Sequence, residues 1–388
     1  MNWSWKLGRL AGIDIYMHWT FLLLLGYVGL SELSRNQNWL AAAQGVGLVL
    51  AVFVCIVLHE LGHALTARRY HIQTRDITLL PIGGVARLER MPDDPRQELW
   101  VALAGPAVNV VIAALLFAIL SVFGAATQMP TSMLEANFLF ALLVINIGLI
   151  VFNMLPAFPM DGGRVLRALL AHWISYGRAT SIAAGVGQGM AVLFAVIGLF
   201  GLPGLIDRQP MMLLIAVFVF FGAAGEARNV RTRLLLAGVP VREAMDKMPL
   251  TVRPDSTLIQ VADHLVISQQ RAFPVLNGSR LIGMLSREEI MHALHQGHAT
   301  SFVGEILANG VRANEHSSSP EDSSESVEDT EMLDAVLQRM SQRGVTSIPV
   351  TQEGQFVGLL TPESVSQFLT IRSAPGDRGV VKEEAALG

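Results

Sequence analysis

The sequence predicts a polytopic α-helical membrane domain with six transmembrane helices, followed by a cytosolic α/β domain that contains a tandem repeat. Three observations lead to this fold class. The 388 residues are 52% apolar and only 15% charged, whereas soluble domains carry about 25% charged residues. The first 240 residues contain apolar runs of spanning length, and the remainder contains two similar segments. This composition excludes a disordered chain and a collagen-like fibre.

The charge divides the chain near residue 240. Residues 1–240 contain 16 Lys/Arg and 12 Asp/Glu, a net charge of +4, and residues 241–388 contain 12 and 20, a net charge of −8. This division predicts a membrane domain over residues 1–230, a linker over 231–240 and a polar domain after it. Because phosphate binding needs a basic face, the acidic second part argues against nucleic acid as a partner.

Six runs are apolar and long enough for spanning helices, which need about 20 such residues. They cover residues 16–33, 39–66, 99–124, 134–155, 179–201 and 211–227. No small-residue cleavage site follows the first run, so we expect a retained helix and not a signal peptide. The single cysteine, Cys55, falls in the second run and is expected to be a small buried hydrophobe.

Basic residues in the loops predict the orientation of these spans, because cytoplasmic loops are rich in Lys and Arg. Only Arg35 and Arg208 lie on one side. Fourteen lie at the N-terminus or in the loops after the second, fourth and sixth spans: Lys6, Arg9, Arg68, Arg69, Arg75, Arg87, Arg90, Arg96, Arg164, Arg167, Arg178, Arg228, Arg231 and Arg233. This asymmetry predicts a multi-pass protein of the cell (plasma) membrane with both termini in the cytosol.

The second part of the chain contains an internal repeat. Residues 273–286 align with 348–361 at an offset of 75, and each copy predicts a strand, a turn and a strand with helical patterns on both sides. The upstream segments 241–245 and 303–307 align instead at an offset of 62. The second copy therefore contains about 13 additional residues.

The stretch 315–329 accounts for these additional residues. It is rich in serine, has six acidic residues and no Lys or Arg, and such a composition cannot bury enough apolar surface to become ordered. We therefore predict a disordered insertion at about 313–330. The predicted limits are 241–298 for the first module, 299–371 for the second module and 372–388 for a disordered tail.

The second apolar run contains His59-Glu60-Leu61-Gly62-His63. Histidines at i and i+4 lie on one helix face and can converge on a tetrahedral Zn²⁺, while Glu60 leans toward a metal-bound water. An ionisable residue in a spanning segment costs on the order of 2.5–3.5 kcal/mol. This cost favours a metal site over the alternative that the histidines only hydrogen-bond to neighbouring helices.

A third zinc ligand is expected at the cytosolic end of the fourth span. There Pro156 and Pro159 make a continuous helix unfavourable, and irregular backbone at membrane depth is tolerated where it lines a cavity. Asp161 then presents a carboxylate at the depth of the histidines. The alternative is that Asp161 caps a helix that starts near Gly162.

The two motifs together resemble the site-2 protease family of intramembrane zinc metalloproteases. HELGH on a membrane helix is followed about 100 residues later by NxxPxxPxDGGR, as in the subgroup with six spans and C-terminal CBS modules. The resemblance implies that one catalytic Zn²⁺ is held by His59, His63 and Asp161. It also implies that Glu60 is the general base.

The same resemblance implies further contacts. Asn153 is expected to contact the substrate backbone or the developing oxyanion. Residues 79–89, with Gly83 and Gly84, match a membrane-associated β-hairpin that presents substrate as an added strand. Gly105-Pro-Ala-Val-Asn109 matches a motif of the third span that we attribute to close helix packing, and His18 is expected to form an interfacial hydrogen bond.

The two repeat copies resemble a pair of CBS modules, which implies binding of an adenine nucleotide (ATP, ADP or AMP) in the cleft and a homodimer through the modules. Members that bind show Gly, a hydroxyl residue and Asp at intervals of three. The corresponding residues are Gly283, Ser286 and Glu289 in the first copy and Gly358, Thr361 and Ser364 in the second. We expect Ser286, Glu289 and Thr361 to contact nucleotide; a pair that only dimerises or makes contacts is the equal alternative.

These observations predict a metalloendopeptidase that cleaves membrane-anchored protein substrates in the lipid bilayer and is modulated by nucleotide. One alternative is a CBS-regulated membrane transporter or channel, but no repeat relates spans 1–3 to spans 4–6, as such architectures often require. Another is an inactive homologue that binds membrane proteins. Loss of Glu60 would favour that alternative, and Glu60 is present.

Overall fold

The chain divides into two compact units, Met1–Val230 and Arg231–Gly388. The computed structural model describes residues 4–81, 83–89, 92, 94–123, 137–201, 207–309 and 326–373.

The first unit combines a small sheet with a group of helices. In chain order its elements are β1 (Ser4–Leu10), β2 (Ile13–His18), α1 (Thr20–Asn36), α2 (Trp39–Arg68), β3 (Thr74–Leu80), β4 (Gly83–Leu88), α3 (Pro95–Val122), α4 (Phe138–Asn153), α5 (Asp161–Leu170), α6 (Tyr176–Phe200) and α7 (Pro210–Leu236). Polar side chains start several helices: Asn38 accepts a hydrogen bond from the Leu40 N–H, and Asp94 accepts one from the Arg96 N–H, both at 2.9 Å.

Four helices, α2, α3, α6 and α7, are long and apolar enough to cross a membrane. Helix α4 is apolar but has only 16 residues. Helix α1 has 17 residues and begins at Thr20, because residues 16–18 of the first predicted run, 16–33, belong to strand β2. The chain is therefore a membrane protein, while the count of six spans and their orientation stay predictions. Residues 124 and 134–136 of the predicted spans lie outside the described residues.

The four strands form one sheet in the order β1-β2-β3-β4. Strands β3 and β4 pair antiparallel, as expected of a hairpin, but β3 also pairs in parallel with β2. Strands β1 and β2 were not predicted from the sequence. Strand β2 joins directly onto an apolar helix, so its short alternation was absorbed into the first predicted span. The membrane association of the β3–β4 hairpin stays a prediction.

The predicted linker at 231–240 is helical over most of its length, and it begins where the two units divide, at Arg231. Helix α7 continues to Leu236, so only residues 237–240 separate it from the next element. The sequence there is rich in Arg and Leu, which are both strong helix formers. The loss of hydrophobicity at the end of the span was therefore mistaken for the end of the helix.

The second unit contains two similar halves. Its elements are α8 (Val241–Ala244), α9 (Leu258–Ile267), β5 (Ala272–Asn277), β6 (Arg280–Ser286), α10 (Arg287–His295), α11 (Val303–Asn309), β7 (Val327–Glu328), α12 (Leu333–Arg343), β8 (Ile348–Gln352), β9 (Gln355–Leu360) and α13 (Pro362–Arg372). The antiparallel pairs β5–β6 and β8–β9 are the two repeat copies. The predicted strand, turn and strand of each copy is confirmed.

The two halves exchange their N-terminal segments. Val239, Val241 and Ala244 pack into the core that contains β8, β9 and α12, and the Val241 N–H donates to the Glu331 carbonyl at 2.9 Å. Conversely, Val303 and Ile306 of α11 pack into the core of β5, β6 and α9. The predicted module limits, 241–298 and 299–371, therefore cut through both hydrophobic cores. Sequence repeats show which segments are alike but not which core each one completes.

The predicted limits of disorder also need correction. Residues 326–330, placed in the disordered insertion, are ordered: β7 pairs in parallel with β8, and Asp329 is buried. The strand is held by main-chain bonds to β8, which tolerate an acidic sequence. Arg372, placed in the tail, is the last residue of α13. The rest of the insertion and of the tail, 313–325 and 374–388, lies outside the described residues.

Candidate metal centre

The two histidines of the HELGH motif face each other on α2. Their Nε2 atoms are 3.1 Å apart, and both side chains are buried. The outer nitrogen of each ring is engaged by α3: His63 Nδ1 donates to the Val101 carbonyl at 2.7 Å, and His59 Nδ1 donates to Asn109 Oδ1 at 3.1 Å. A ring whose Nδ1 carries the proton leaves a lone pair on Nε2, which is the form that binds a metal.

Asp161 is the first residue of α5 and completes the cluster. Its Oδ2 lies 3.1 Å from the Nε2 atoms of both His59 and His63. The loop from Met154 to Met160 interrupts the helical path, as the two prolines predicted. The alternative role of Asp161 as a helix cap is wrong, because Met160 occupies the cap position and the Asp161 side chain turns toward the histidines.

The donor set fits a zinc ion. Three ligand atoms bound to a tetrahedral Zn²⁺ at about 2.0–2.1 Å lie about 3.3 Å from one another, and the three atoms here are 3.1 Å apart. Two imidazole lone pairs and a carboxylate oxygen at this spacing repel one another unless a cation lies between them. Across the described part of the chain, no other group of three or more His, Cys, Asp or Glu residues could hold a metal.

One face of helix α3, predicted from the sequence to serve close helix packing, lies against the two histidines. A Cβ atom on Gly105 would lie 2.2 Å from His63 Nε2 and 2.6 Å from His59 Nε2, so only glycine leaves room for the two rings. Asn109, one turn further along, is fully buried and orients His59. Gly105 and Asn109 are therefore site residues. Their spacing of four was the available signal, since it places both on one helix face.

Glu60 lies between the two histidines in sequence and contacts the sheet. The Ala86 N–H of β4 donates to Glu60 Oε2 at 3.3 Å. Gly84 makes this approach feasible, because a Cβ there would lie 3.1 Å from Glu60 Cγ and 2.9 Å from Ile56 Cγ2. Strand β4 is an edge strand of the sheet. Among the described residues no strand pairs with the outer side of β4, and the Ala86 N–H on that side meets the Glu60 carboxylate.

Four other residues singled out in the sequence, Asn153, Gly83, His18 and Cys55, have the following surroundings. Asn153 is the last residue of α4 and is partly buried, with no described hydrogen bond from its side chain to His59, His63 or Asp161. Gly83 begins β4 with a φ of 138°, a conformation that favours glycine. His18 Nδ1 hydrogen-bonds to Thr20 Oγ1 at 2.7 Å at the start of α1. Cys55 is buried.

The predicted nucleotide residues of the first CBS copy serve a local role. The Ser286 N–H and Oγ–H both donate to Glu289 Oε2 at 2.8 Å, and the Glu289 N–H donates back to Ser286 Oγ at 3.1 Å. This is a capping box at the start of α10. The Glu289 carboxylate, which was expected to contact nucleotide, is thus engaged at the start of its own helix.

The second copy borders a cavity of about 630 Å³ within the second unit. Thr361 lines it together with Ser364, and neither Ser286 nor Glu289 does. Two cationic residues, Lys247 and Arg271, also line it, together with the acidic residues Glu243, Asp246 and Glu363. Both copies contribute to its walls, since Gln270 and Arg271 belong to the first copy and Thr361 and Ser364 to the second.

Comparisons with known proteins agree with this organisation. Residues 47–196 match peptidase family M50, and residues 241–296 and 322–370 match the CBS domain. A zinc metalloprotease of Methanocaldococcus jannaschii is 33% identical over 74% of this chain and 78% of its own length. A related protein of Synechocystis sp. is 29% identical over 96% of this chain and 97% of its own. A solved structure, the site-2 protease from Methanocaldococcus jannaschii, is 35% identical over 58% of this chain and 95% of its own, with a TM-score of 0.42.

Proposed function

Since this chain belongs to peptidase family M50, the site-2 proteases, and carries a tandem pair of CBS domains, we propose that it is an intramembrane zinc metalloprotease. It hydrolyses a peptide bond in or near a transmembrane segment of membrane-anchored protein substrates. The observation that carries this proposal is the convergence of His59, His63 and Asp161, 3.1 Å apart, beside Glu60.

The residues divide the chemistry among them. His59, His63 and Asp161 would hold one zinc ion, which supplies a water of lowered pKa and polarises the scissile carbonyl. Glu60 accepts the proton of the attacking water and delivers it to the leaving amide nitrogen. Asn109 and Val101 keep the imidazoles in the tautomer that leaves Nε2 free. Asn153 contacts the substrate backbone or the developing oxyanion.

Strand β4 receives the substrate. A transmembrane substrate hides its carbonyls in helical hydrogen bonds, so it must be extended before it is cut, and pairing with an edge strand extends it. Two features support this role: β4 is an edge strand, and its Ala86 N–H points at Glu60. Gly84 lets this strand approach α2 at Glu60, because a Cβ there would lie 3.1 Å from Glu60 Cγ.

The remaining proposals concern the setting of the enzyme. The protein is a multi-pass protein of the cell membrane with both termini in the cytosol, supported by the distribution of Lys and Arg. An adenine nucleotide binds the cavity at Thr361 and modulates proteolysis, and the CBS pair forms a homodimer. Lys247 supports the nucleotide site, because it offers a cation to the phosphates, whereas Arg271 in the same cavity is paired with Glu363 at 3.4 Å.

The variant Glu60→Gln tests the proposed function. The purified full-length chain carrying it should retain one zinc ion and should cleave a single-span substrate at least about 100-fold more slowly, because a general base typically contributes 10²–10⁴. Glu89→Gln, at an exposed position just after β4, is the matched control and should cleave normally. Appreciable cleavage by Glu60→Gln, or absence of zinc from the unaltered chain, contradicts the proposal.

A further inference from the structure

A fully buried arginine lies near the metal centre. Arg167, in the last turn of α5, is 0% exposed. Its Nε donates to Glu98 Oε1 of α3 at 2.8 Å, and its Nη2 donates to the same oxygen. Its Nη1 donates to Glu226 Oε1 of α7 at 2.6 Å. The guanidinium also lies 5.0 Å from the ring centroids of Phe158 and Tyr176.

Stability alone is a weak explanation for this cluster. Removing charges from water costs several kcal/mol per ion, and well-packed apolar residues of similar volume often stabilise a protein as well as a buried ion pair does. Ionisable residues inside a membrane protein are rare and usually serve a function. A role for the arginine in holding part of the site in place is therefore favoured.

Arg167 and the ring that it contacts, Phe158, lie on opposite sides of Asp161 in the sequence. Phe158 precedes Asp161 by three residues, and Arg167 follows it by six. Because the guanidinium lies over the Phe158 ring, the last turn of α5 is in contact with the loop that precedes Asp161. Any shift of the end of α5 would move the loop before it and, with that loop, the Asp161 carboxylate.

Glu98 connects this segment to the helix that orients the histidines. Glu98, Val101, Gly105 and Asn109 recur at intervals of three and four, so they lie along one face of α3. Val101 and Asn109 accept the histidine Nδ1–H groups, and Gly105 makes room for the two rings. The pair of Arg167 with Glu98 thus joins the element that carries Asp161 to the face of α3 that holds His59 and His63.

We propose that Arg167 is a positioning residue that keeps Asp161 in register with His59 and His63 for zinc binding. Glu226 adds a dependence on α7, the helix that begins in the first unit and ends at Leu236 in the second. Two donors of one guanidinium directed at Glu98 Oε1, combined with a third directed at Glu226, need the planar fork of arginine. This inference rests on the proposed zinc site and adds residues that act through Asp161.

The test measures zinc affinity of the purified full-length chain by competition with a chelator. Arg167→Met should weaken zinc binding about 10–100-fold, the usual effect of losing an outer-shell partner of a ligand. The zinc affinity of Arg167→Lys should lie between those of the unaltered chain and Arg167→Met, because lysine keeps the charge but loses the planar fork. Glu226→Gln, which keeps an acceptor for Nη1 but removes its charge, should have the smallest effect. Arg228→Met, at an exposed position of α7, is the matched control and should bind zinc normally.

Two further measurements separate positioning from folding. The Tm of each metal-free variant reports its fold, and the visible spectrum of bound Co²⁺ reports the ligand set. The spectrum of Arg167→Met should change even where the variant is folded. A folded Arg167→Met that binds zinc as tightly as the unaltered chain, with the same Co²⁺ spectrum, overturns the positioning role.

The second pair of variants covers the case in which Arg167→Met does not fold. Zinc affinity then has to fall in a folded Arg167→Lys, and unchanged affinity in that variant overturns the proposal whatever the smaller effect of Glu226→Gln. An unaltered chain that binds no zinc would instead overturn the proposed function, and the positioning role with it. The two failures are therefore distinguishable.

Discussion

Each unit of this protein contains polar side chains that lie three or four residues apart, on a helix or at its start. The two sets form opposite kinds of hydrogen-bond arrangement. In the first unit, His59 and His63 turn their free nitrogens toward each other and toward Asp161. In the second unit, Ser286 and Glu289 satisfy each other and the first turn of α10.

The difference shows how to distinguish a ligand site from a helix cap. Equal spacing produces both arrangements, because residues three and four apart are neighbours on any helix. What distinguishes them is the destination of the hydrogen bonds. A capping box closes on its own backbone, whereas the metal centre draws its supporting bonds from α3 and leaves three lone pairs directed at one point.

The strongest test of this contrast is Gly105→Ala. A Cβ atom 2.2 Å from His63 Nε2 should displace both rings, so we expect loss of stoichiometric zinc and of proteolysis. Metal analysis of the purified chain checks this. Gly148→Ala, on α4, is the matched control, since nothing lies within 4 Å of its Cβ position. One zinc ion per chain in Gly105→Ala would show that the cluster does not need this close approach.

A second variant removes only the supporting bond. Asn109→Ala leaves His59 without its acceptor and should weaken zinc binding about 10–100-fold. Asn146→Ala is the control, because this equally buried asparagine donates to the Leu142 carbonyl and to Cys55 Sγ and to none of the three proposed zinc ligands. Competition with a chelator measures both affinities. Equal affinities would mean that the tautomer of His59 is set in another way.

The third test moves to the cavity of the second unit. Lys247→Gln should weaken ATP binding to the full-length chain about tenfold, since a charged hydrogen bond contributes about 1.5–3 kcal/mol and 1.4 kcal/mol is a factor of ten. Isothermal titration measures this affinity. Arg280→Gln removes an exposed cation outside the cavity and should have no effect. Absence of binding at millimolar ATP in the unaltered chain removes the nucleotide proposal.

The smallest effect is expected for Ser286→Ala. Loss of the cap should destabilise the second unit by about 1 kcal/mol, a fall in Tm of about 2–4 °C for a unit of this size, while ATP affinity stays unchanged. Ser279→Ala, at an exposed turn, should change neither property. A large loss of ATP affinity in Ser286→Ala would instead make this residue a ligand contact and weaken the contrast between the units.

Local geometry made part of the site predictable from sequence. His59, Glu60 and His63 share one helix, so their relative positions follow from its pitch. Asp161 followed from matched depth and from the prolines before it. Asn109 did not follow, because its role depends on how α3 is rotated about its axis against α2. Arg167 was counted among basic residues of the cytosolic loops, yet it is fully buried by partners on α3 and α7.

The fold divides in the same way. The long apolar helices and the two strand pairs have strong local patterns and were predicted, although four helices and not six meet the length and hydropathy expected of a span among the described residues. Strands β1 and β2 were missed because they are short and precede an apolar helix. The pairing of β7 with β8 and the exchange of α8 and α11 arise from contacts distant in sequence, which no local pattern encodes.

The exchange of segments also constrains the order in which the second unit is completed during synthesis. The core around β5 and β6 closes once Ile306 has emerged, but the segment from Val239 to Ala244 must wait for β9 and α13, up to Val365. Translation of the intervening 59 residues takes roughly 3–12 s at 5–20 residues per second. Throughout that interval the apolar residues directly after α7 remain without the core that covers them, so chaperones and proteases can reach this junction in a nascent chain.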